Sequence, residues 1–544
     1  MRLVVFLTLF IIGTSCEKER QPFEVYTPAV FLSESQKAVL QKWQGEQPPI
    51  AKPLTAWQFS LGQLPEYFLA TAKDFPSQDS LVNLPHRINY PNRSMWYKTR
   101  ILLDSAILLV VNADDGAQVF YQGVQIPQVL PNAFILSATS DSTGLIIRVL
   151  NNALEGGLRK AELFPLNEGL TYFGHKDYAA PDASYPLFNN AAKPMLLAKP
   201  YVQENVSGEY LLKVVSTSSA PASLVFGHHR KTLDNSLTVD TQTSRIFHFT
   251  LKSLLPATTY YYQFRQGNFQ SAIYLLETPP QKESFSFTAW GDSQGGWPVF
   301  KQLTESMRNT SAEFSIGLGD LVADGAQHTQ WLDFLHALHP IAEHQPVFPV
   351  IGNHDYDGCY DDLRPKLYQQ YIREDTYFSW IYKNCYFIAL DPNESFPLGI
   401  NGKQLRWLET QLDAPEWQAA DWRFLLLHQP PYSQGWPGYH GDAFIRDLIE
   451  EKAAIAKIDF VLSGHSHCYE RLSKNFDQQT THFLIMGGAG GGLEPPQSSE
   501  YPLMDTVIKA HHYGLFEVDG PAIKFSVIGL EGKILGEQIF TKKR

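Results

Sequence analysis

FSFTAWGDSQ, residues 285–294, decides the fold. Six apolar or β-favouring residues, Phe285 to Trp290, run straight into Gly291-Asp292-Ser293-Gln294. The pattern recurs down the chain. Phe314 to Leu318 meets Gly319-Asp320, and Val347 to Ile351 meets Gly352-Asn353-His354-Asp355. Phe424 to Leu427 ends at His428, and Phe460 to Leu462 leads to Gly464-His465-Ser466-His467. The stretches between carry helical spacing: Val299–Asn309, Thr329–Glu343, Lys403–Leu412 and Ala443–Ala456. Strands alternating with helices predict a layered α/β domain over 283–543. In open α/β sheets, sites form beyond the carboxyl ends of strands, which is where these polar residues stand. Carboxylate, amide oxygen and imidazole together suit Mn, Fe, Zn or similar ions. A single Gly-Asp or a lone His is more often a turn or a surface residue. Five such clusters in order, each at a strand end, point to one convergent metal site.

The order GD … GD … GNHD … H … GHxH resembles the calcineurin-like metallophosphoesterase superfamily. A β-rich segment in front, and Gly464 to Arg471 (GHSHCYER), resemble its purple acid phosphatase branch. The resemblance implies an α/β/β/α sandwich and a site for two divalent or trivalent metal ions, Fe, Mn or Zn. It implies Asp320 as the bridge, Asp292 and His467 at the first metal, and Asn353, His428 and His465 at the second. It further implies a phosphate-ester substrate, an attacking metal-bridging hydroxide, and His354 facing the substrate as proton donor with Asp355 orienting it. His440 and Tyr356 are candidate substrate contacts; a solvated loop histidine and a packing tyrosine are the alternatives. Two positions depart from the purple branch. Where that branch has a metal-binding tyrosine, this chain has Ala323. Asp292-Ser293-Gln294 resembles the first motif of manganese-dependent ADP-ribose/CDP-alcohol phosphohydrolases, whose glutamine is a ligand. Gln294 is therefore expected either to coordinate the first metal or to hydrogen-bond its water. The expected activity is phosphomonoester hydrolysis. A phosphodiesterase or nucleotide pyrophosphohydrolase is the alternative on the same site, and a carbohydrate-binding surface protein with a vestigial phosphatase domain is the alternative from another class.

Outward from this domain, 544 residues allow three or four domains, and 44% hydrophobic with 18% charged residues is ordinary for a globular chain. The net charge of −12 argues against a nucleic-acid partner. Residues 53–166 carry β-favouring runs such as Met95 to Leu103 and Gly144 to Val149. They resemble a jelly-roll, galactose-binding-like module, either packing only or contacting carbohydrate. Residues 198–279 contain Leu254 to Tyr262 (LLPATTYYY), which resembles a fibronectin-type-III sandwich, with Tyr260 and Tyr262 on one strand face. Residues 17–50 read as a linker with a short helix near Glu34–Trp43, and 167–197 as a connecting segment. At the start, Met1-Arg2, the apolar run Leu3 to Ile12 and small residues 13–15 make a signal-peptide pattern over 1–15. Cys16 follows, resembling a bacterial lipoprotein acceptor. The expectation is export to the periplasm or cell surface, with membrane attachment through a lipid on Cys16. Cys359 and Cys385 are a possible disulfide pair, and Cys468 a buried inert thiol.

Overall fold

The structure, a computed structural model, describes residues 20–542 apart from 32–48, 63–70, 78, 91–92, 114–115, 131, 152–154, 177–193, 207–208, 241–244, 357–363, 395–399 and 401. The signal pattern, Cys16, the Glu34–Trp43 helix and Cys359 lie outside the described residues.

Two β-sandwiches precede the α/β domain. In the first, a six-stranded antiparallel sheet centred on Arg93–Ile101 and Thr143–Asn151 faces a five-stranded one centred on Ile107–Ala113 and Leu158–Pro165. Alternation along each strand sends Met95, Tyr97, Leu109, Val111, Leu145 and Ile147 into the core between them. In the second, Thr259–Gln266 and Ala222–Gly227 lie in a six-stranded sheet opposite the four-stranded sheet of Met195–Val206, Glu209–Ser216 and Ile246–Leu251. Tyr260 and Tyr262 are both buried in its core.

The N-terminal segment is not a plain linker. Gln21–Pro22 pairs parallel with Phe269–Gln270, and Glu24–Val25 pairs parallel with Met195–Leu196. Phe23 and Tyr26 are buried against the second sandwich. The first sandwich is thus inserted between two parts of the second. The other connecting segment also differs from expectation: Leu166–Lys176 is a helix packed on the first sandwich through Leu166, Leu170 and Phe173.

The α/β domain has four layers. One six-stranded sheet places Val347–Val350, Phe314–Leu318 and Phe285–Trp290 parallel, then adds the antiparallel His512–Asp519, Ala522–Gly529 and Ile534–Thr541. The facing seven-stranded sheet runs Cys385–Ala389, Trp422–Leu426, Phe460–Ser463 and Gln479–Met486 parallel. Aromatic rings fill the gap between the sheets. Phe287 stacks between Phe314 at 5.1 Å and Phe516 at 4.6 Å and meets Phe424 edge-on at 5.7 Å. Each such pair adds about 0.5–1.5 kcal/mol beyond its buried area. Helices Trp297–Met307 and His328–Ala342 cover one outer face, and Gly402–Leu412, Pro415–Ala419 and Ala443–Ala453 cover the other.

The second sandwich packs on the first pair of helices. Leu197, Tyr201, Val215 and Ile246 share one core with Trp290, Phe300, Leu335 and Leu338. Buried hydrogen bonds cross the boundary: Tyr201 Oη donates to the Tyr371 carbonyl at 2.9 Å, and Tyr262 Oη to that of Glu343 at 2.6 Å. Among the described residues no helix is long and apolar enough to cross a membrane.

Candidate metal centre

The parallel strands of both sheets end at one edge, and the turns after them carry unusual backbone. Asp292, Asp320 and His465 have φ of 61°, 50° and 70°. Left-handed backbone is uncommon outside glycine and costs of order 1–3 kcal/mol, so the surroundings must impose it. They do so through the side chains themselves. The His465 N–H donates to both Asp292 carboxylate oxygens at 3.0 and 2.8 Å, and the His354 N–H donates to Asp320 Oδ1 at 3.0 Å. Glycines let the turns close up. A Cβ on Gly352 would stand 2.2 Å from Asp320 N, and one on Gly464 would stand 2.5 Å from Asp292 Oδ2.

Asp320, His428 and His465 bring one ligand atom each to within 4.8 Å of one another. His428 Nε2 is 3.1 Å from Asp320 Oδ2 and 3.3 Å from His465 Nδ1. His467 Nε2 is 3.4 Å from Asp292 Oδ1, and His428 Nε2 is 4.0 Å from that same oxygen. The tautomers are fixed from behind. His428 Nδ1–H donates to the Leu318 carbonyl at 2.8 Å, and His467 Nδ1–H to that of Gly492 at 2.6 Å. Each Nε2 then turns a lone pair toward a carboxylate, an arrangement that calls for a cation between them.

With protons as the only cations, the electrostatics say the same. Burial alone would lower His428, but Asp320 and Asp292 outweigh it and raise it to about 9. In His467, burial is likewise overcome by Asp292, and the imidazole rises to about 9. Burial alone would raise Asp320, yet His428, His354 and His465 around it bring it below the usual carboxylate range. His465, half-buried beside His428, is pushed well down by its desolvation.

The amides complete the fit. Asn353 is buried, and among the described residues nothing pairs with either of its side-chain polar atoms or with buried Gln294 Oε1. Unpaired buried polar atoms are costly and are normally explained by a water or an ion. Gln294 Nε2 lies 3.2 Å from His467 Nε2. An amide flip exchanges its oxygen and nitrogen, so either a ligand oxygen or a hydrogen-bonding NH₂ can face the first site. The set Asp292, Asp320, Asn353, His428, His465 and His467, with Gln294 alongside, therefore fits a pair of metal ions.

Three expected neighbours are placed elsewhere. Asp355 does not orient His354. Its Oδ1 accepts from the Leu321 and Val322 N–H groups at 2.8 and 3.1 Å, and its Oδ2 from Gly352 N–H at 2.8 Å. It pins the Asp320 turn to the Asn353 turn, while His354 Nδ1 bonds the Ala323 carbonyl at 3.0 Å. Burial and nearby Asp320 push Asp355 up to about 8, against the Gly352 and Val322 amides. Tyr356 is no surface contact: it is buried and donates to Asp391 Oδ2 at 2.6 Å. His440 is exposed, and its ring is held by Ser499 Oγ at 2.9 Å and the Tyr501 carbonyl, outside the cluster. Trp436 and Tyr439, 4.1 Å apart and stacked, pack against His465. Among the described residues Cys385 and Cys468 have no disulfide partner, and both thiols are buried. The Leu318 and Gly492 carbonyls, which set the tautomers, leave no mark in a sequence, because any residue supplies a carbonyl. One of them, that of Gly492, closes the glycine-rich run Gly487 to Gly492.

Residues 285–469 match the family of calcineurin-like phosphoesterases. Purple acid phosphatase 21 of Arabidopsis thaliana is 24% identical over 297 residues, which cover 50% of this chain and 66% of that protein. The Fe(3+)-Zn(2+) purple acid phosphatase 12 of the same plant is 23% identical over 245 residues, 42% of this chain and 52% of that protein. The chain therefore spans just under two thirds, or less, of the length of these relatives. A solved purple acid phosphatase from yellow lupin (Lupinus luteus) seeds has a similar fold, with a TM-score of 0.55 at 14% identity, covering 82% of this chain and 92% of that one. The turns that gather Asp292, Asp320, Asn353, His428, His465 and His467 thus all lie in the stretch, residues 285–469, that matches calcineurin-like phosphoesterases, and purple acid phosphatases are among the chain's relatives.

Proposed function

We propose that this chain hydrolyses phosphomonoesters at a dinuclear metal centre. The observation that carries the reading is the cluster of buried Asp320 and His428 with half-buried His465, flanked by Asp292 and His467 and by the Asn353 amide, which has no partner among the described residues. In this reading Asp320 would bridge, Asp292, His467 and Gln294 would hold the first metal, and Asn353, His428 and His465 would hold the second. Bound there, the ions would supply an activated water and neutralise phosphoryl oxygens. The residues themselves set orientation. Leu318 and Gly492 fix the imidazole tautomers, and Asp355 fixes the two turns. His354 stands beside the cluster with Nδ1 tied to Ala323, so Nε2 is the atom that would pass a proton to the leaving oxygen, worth about 10²–10⁴-fold.

The reading extends to the rest of the chain. The N-terminal apolar run and Cys16 support export to the periplasm or cell surface with a lipid anchor, and the facing antiparallel sheets support jelly-roll and fibronectin-III-like modules. The first of these is read as a packing module. The test is phosphate release from a nitrophenyl phosphate and from its bis-ester, with metal-loaded and chelator-stripped protein. Turnover of the monoester that needs Mn, Fe or Zn supports the proposal. Preference for the bis-ester moves it to a phosphodiesterase, and full activity without metal overturns it.

A further inference from the structure

Glu470 lies behind the centre, three residues past His467, and is completely buried. A buried carboxylate needs several donors, and this one has them. Ser433 Oγ–H donates to Oε1 at 2.7 Å, Cys468 Sγ–H to the same oxygen at 3.4 Å, and the Gln434 N–H to Oε2 at 2.6 Å. The Ser433 hydroxyl donates to Glu470, so its one proton is committed there. The 2.7 Å contact between Ser433 Oγ and Ser466 Oγ must then run from Ser466 to Ser433, and Gly435 N–H adds a donor to Ser433 at 3.2 Å. The relay Ser466 to Ser433 to Glu470 joins two loops. Ser466 sits between His465 and His467. Residues 433–435 lead into Trp436 and Tyr439, whose stacked rings lie 5.9 and 5.6 Å from the His465 ring. There is no slack in the joint: a Cβ on Gly435 would stand 3.0 Å from Glu470 Oε1 and 3.2 Å from Ser466 Cβ.

We infer that Glu470 is a positioning residue of the metal centre, acting through Ser433 and Ser466 to hold His465 and His467 in ligand geometry. The inference rests on the metal-centre reading above. Packing alone does not explain the arrangement. An apolar side chain would fill the same volume without burying an ionisable group, whereas the Glu470 carboxyl takes up donors from both loops, Ser433 and Gln434 on one side and Cys468 on the other. Partners that orient metal ligands typically change metal affinity by about 10–100-fold when removed.

The experiment is calorimetric titration of the full chain with Mn²⁺ alone, in wild type, E470Q, S433A and the double variant. Glutamine keeps the shape but turns an NH₂ toward at least one donor. E470Q is expected to weaken Mn²⁺ binding by about 10–100-fold, S433A by less, and the double variant no more than E470Q, since both substitutions break one relay. A lower melting temperature with Mn²⁺ affinity unchanged in E470Q or S433A overturns the inference, as do additive losses in the double variant. If E470Q fails to fold, S433A decides alone, because losing one hydroxyl leaves the fold intact. A wild type that binds no Mn²⁺ sinks the metal-centre reading itself, a result distinct from normal wild-type binding with indifferent variants.

Discussion

Asp355→Ala tests the reassignment of that residue from partner of His354 to clamp of two turns. The wild-type carboxylate takes three backbone N–H groups, from Leu321, Val322 and Gly352, in a fully buried place. Alanine orphans all three. A buried donor left unsatisfied costs about 1–3 kcal/mol. A water entering the vacated space can serve some of them, so the low end applies and the loss is roughly 3–5 kcal/mol. For a domain of this size that lowers the melting temperature by roughly 6–20 °C. Asp355→Asn keeps one acceptor oxygen and resembles the protonated acid, so it should lose roughly 1–2 kcal/mol. Thermal unfolding followed by tryptophan fluorescence, with phosphate release on the same samples, reads both quantities. Metal binding should weaken with the melting temperature, because the Asp320 and Asn353 turns are no longer pinned together. If Asp355→Ala melts within about 2 °C of wild type and binds metal normally while turnover collapses, the carboxylate serves His354 after all and the reasoning is wrong.

Other outcomes follow from the same geometry. His354→Ala should keep its metal content, since the ring bonds Ala323 and stands outside the cluster, but slow turnover by about 10²-fold or more; loss of metal would make it a ligand. An iron-loaded preparation should show no tyrosinate charge-transfer band in the visible, because residue 323 is alanine, and Gln294→Ala should weaken the first metal further; absorption and metal content check both. Asp333, buried in the helix His328–Ala342, is raised by burial to about 7. Its folded-state value lies above its unfolded one, so its stability contribution is present below about pH 4 and is lost as pH rises through about 7. Asp333→Asn should therefore raise the melting temperature at pH 8 and leave it nearly unchanged at pH 4. Equal shifts at both would contradict the assignment.

The strands that carry the site were legible because each is a short apolar run stopped by a glycine or histidine. Phe285–Trp290 and Phe314–Leu318 lie where their sequences predict them. The candidate ligands were legible for the same reason, since a strand end fixes where the next residue stands. What failed was direction within a turn. His354, Asp355 and Tyr356 are consecutive, yet the chain reverses there and sends their side chains to Ala323, to three amides and to Asp391. No periodicity encodes that. The pairing of residues 21–25 was invisible too, because two-residue strands are too short to alternate. Nothing local marks the role of Glu470, since its partners Ser433 and Gln434 lie far away in sequence.

The insertion of the first sandwich into the second bears on how the chain is made. Glu24–Val25 leaves the ribosome long before Met195–Leu196, its partner strand, and Gln21–Pro22 waits longer still for Phe269–Gln270. The inserted sandwich has all its strands in hand by Leu158–Pro165 and can close on its own while the earlier segment stays unpaired. Order of synthesis and order of folding are therefore inverted at the start of this protein. The exposed Phe23 and Tyr26 would be the apolar surface for a holdase to shield until the rest of their sandwich arrives.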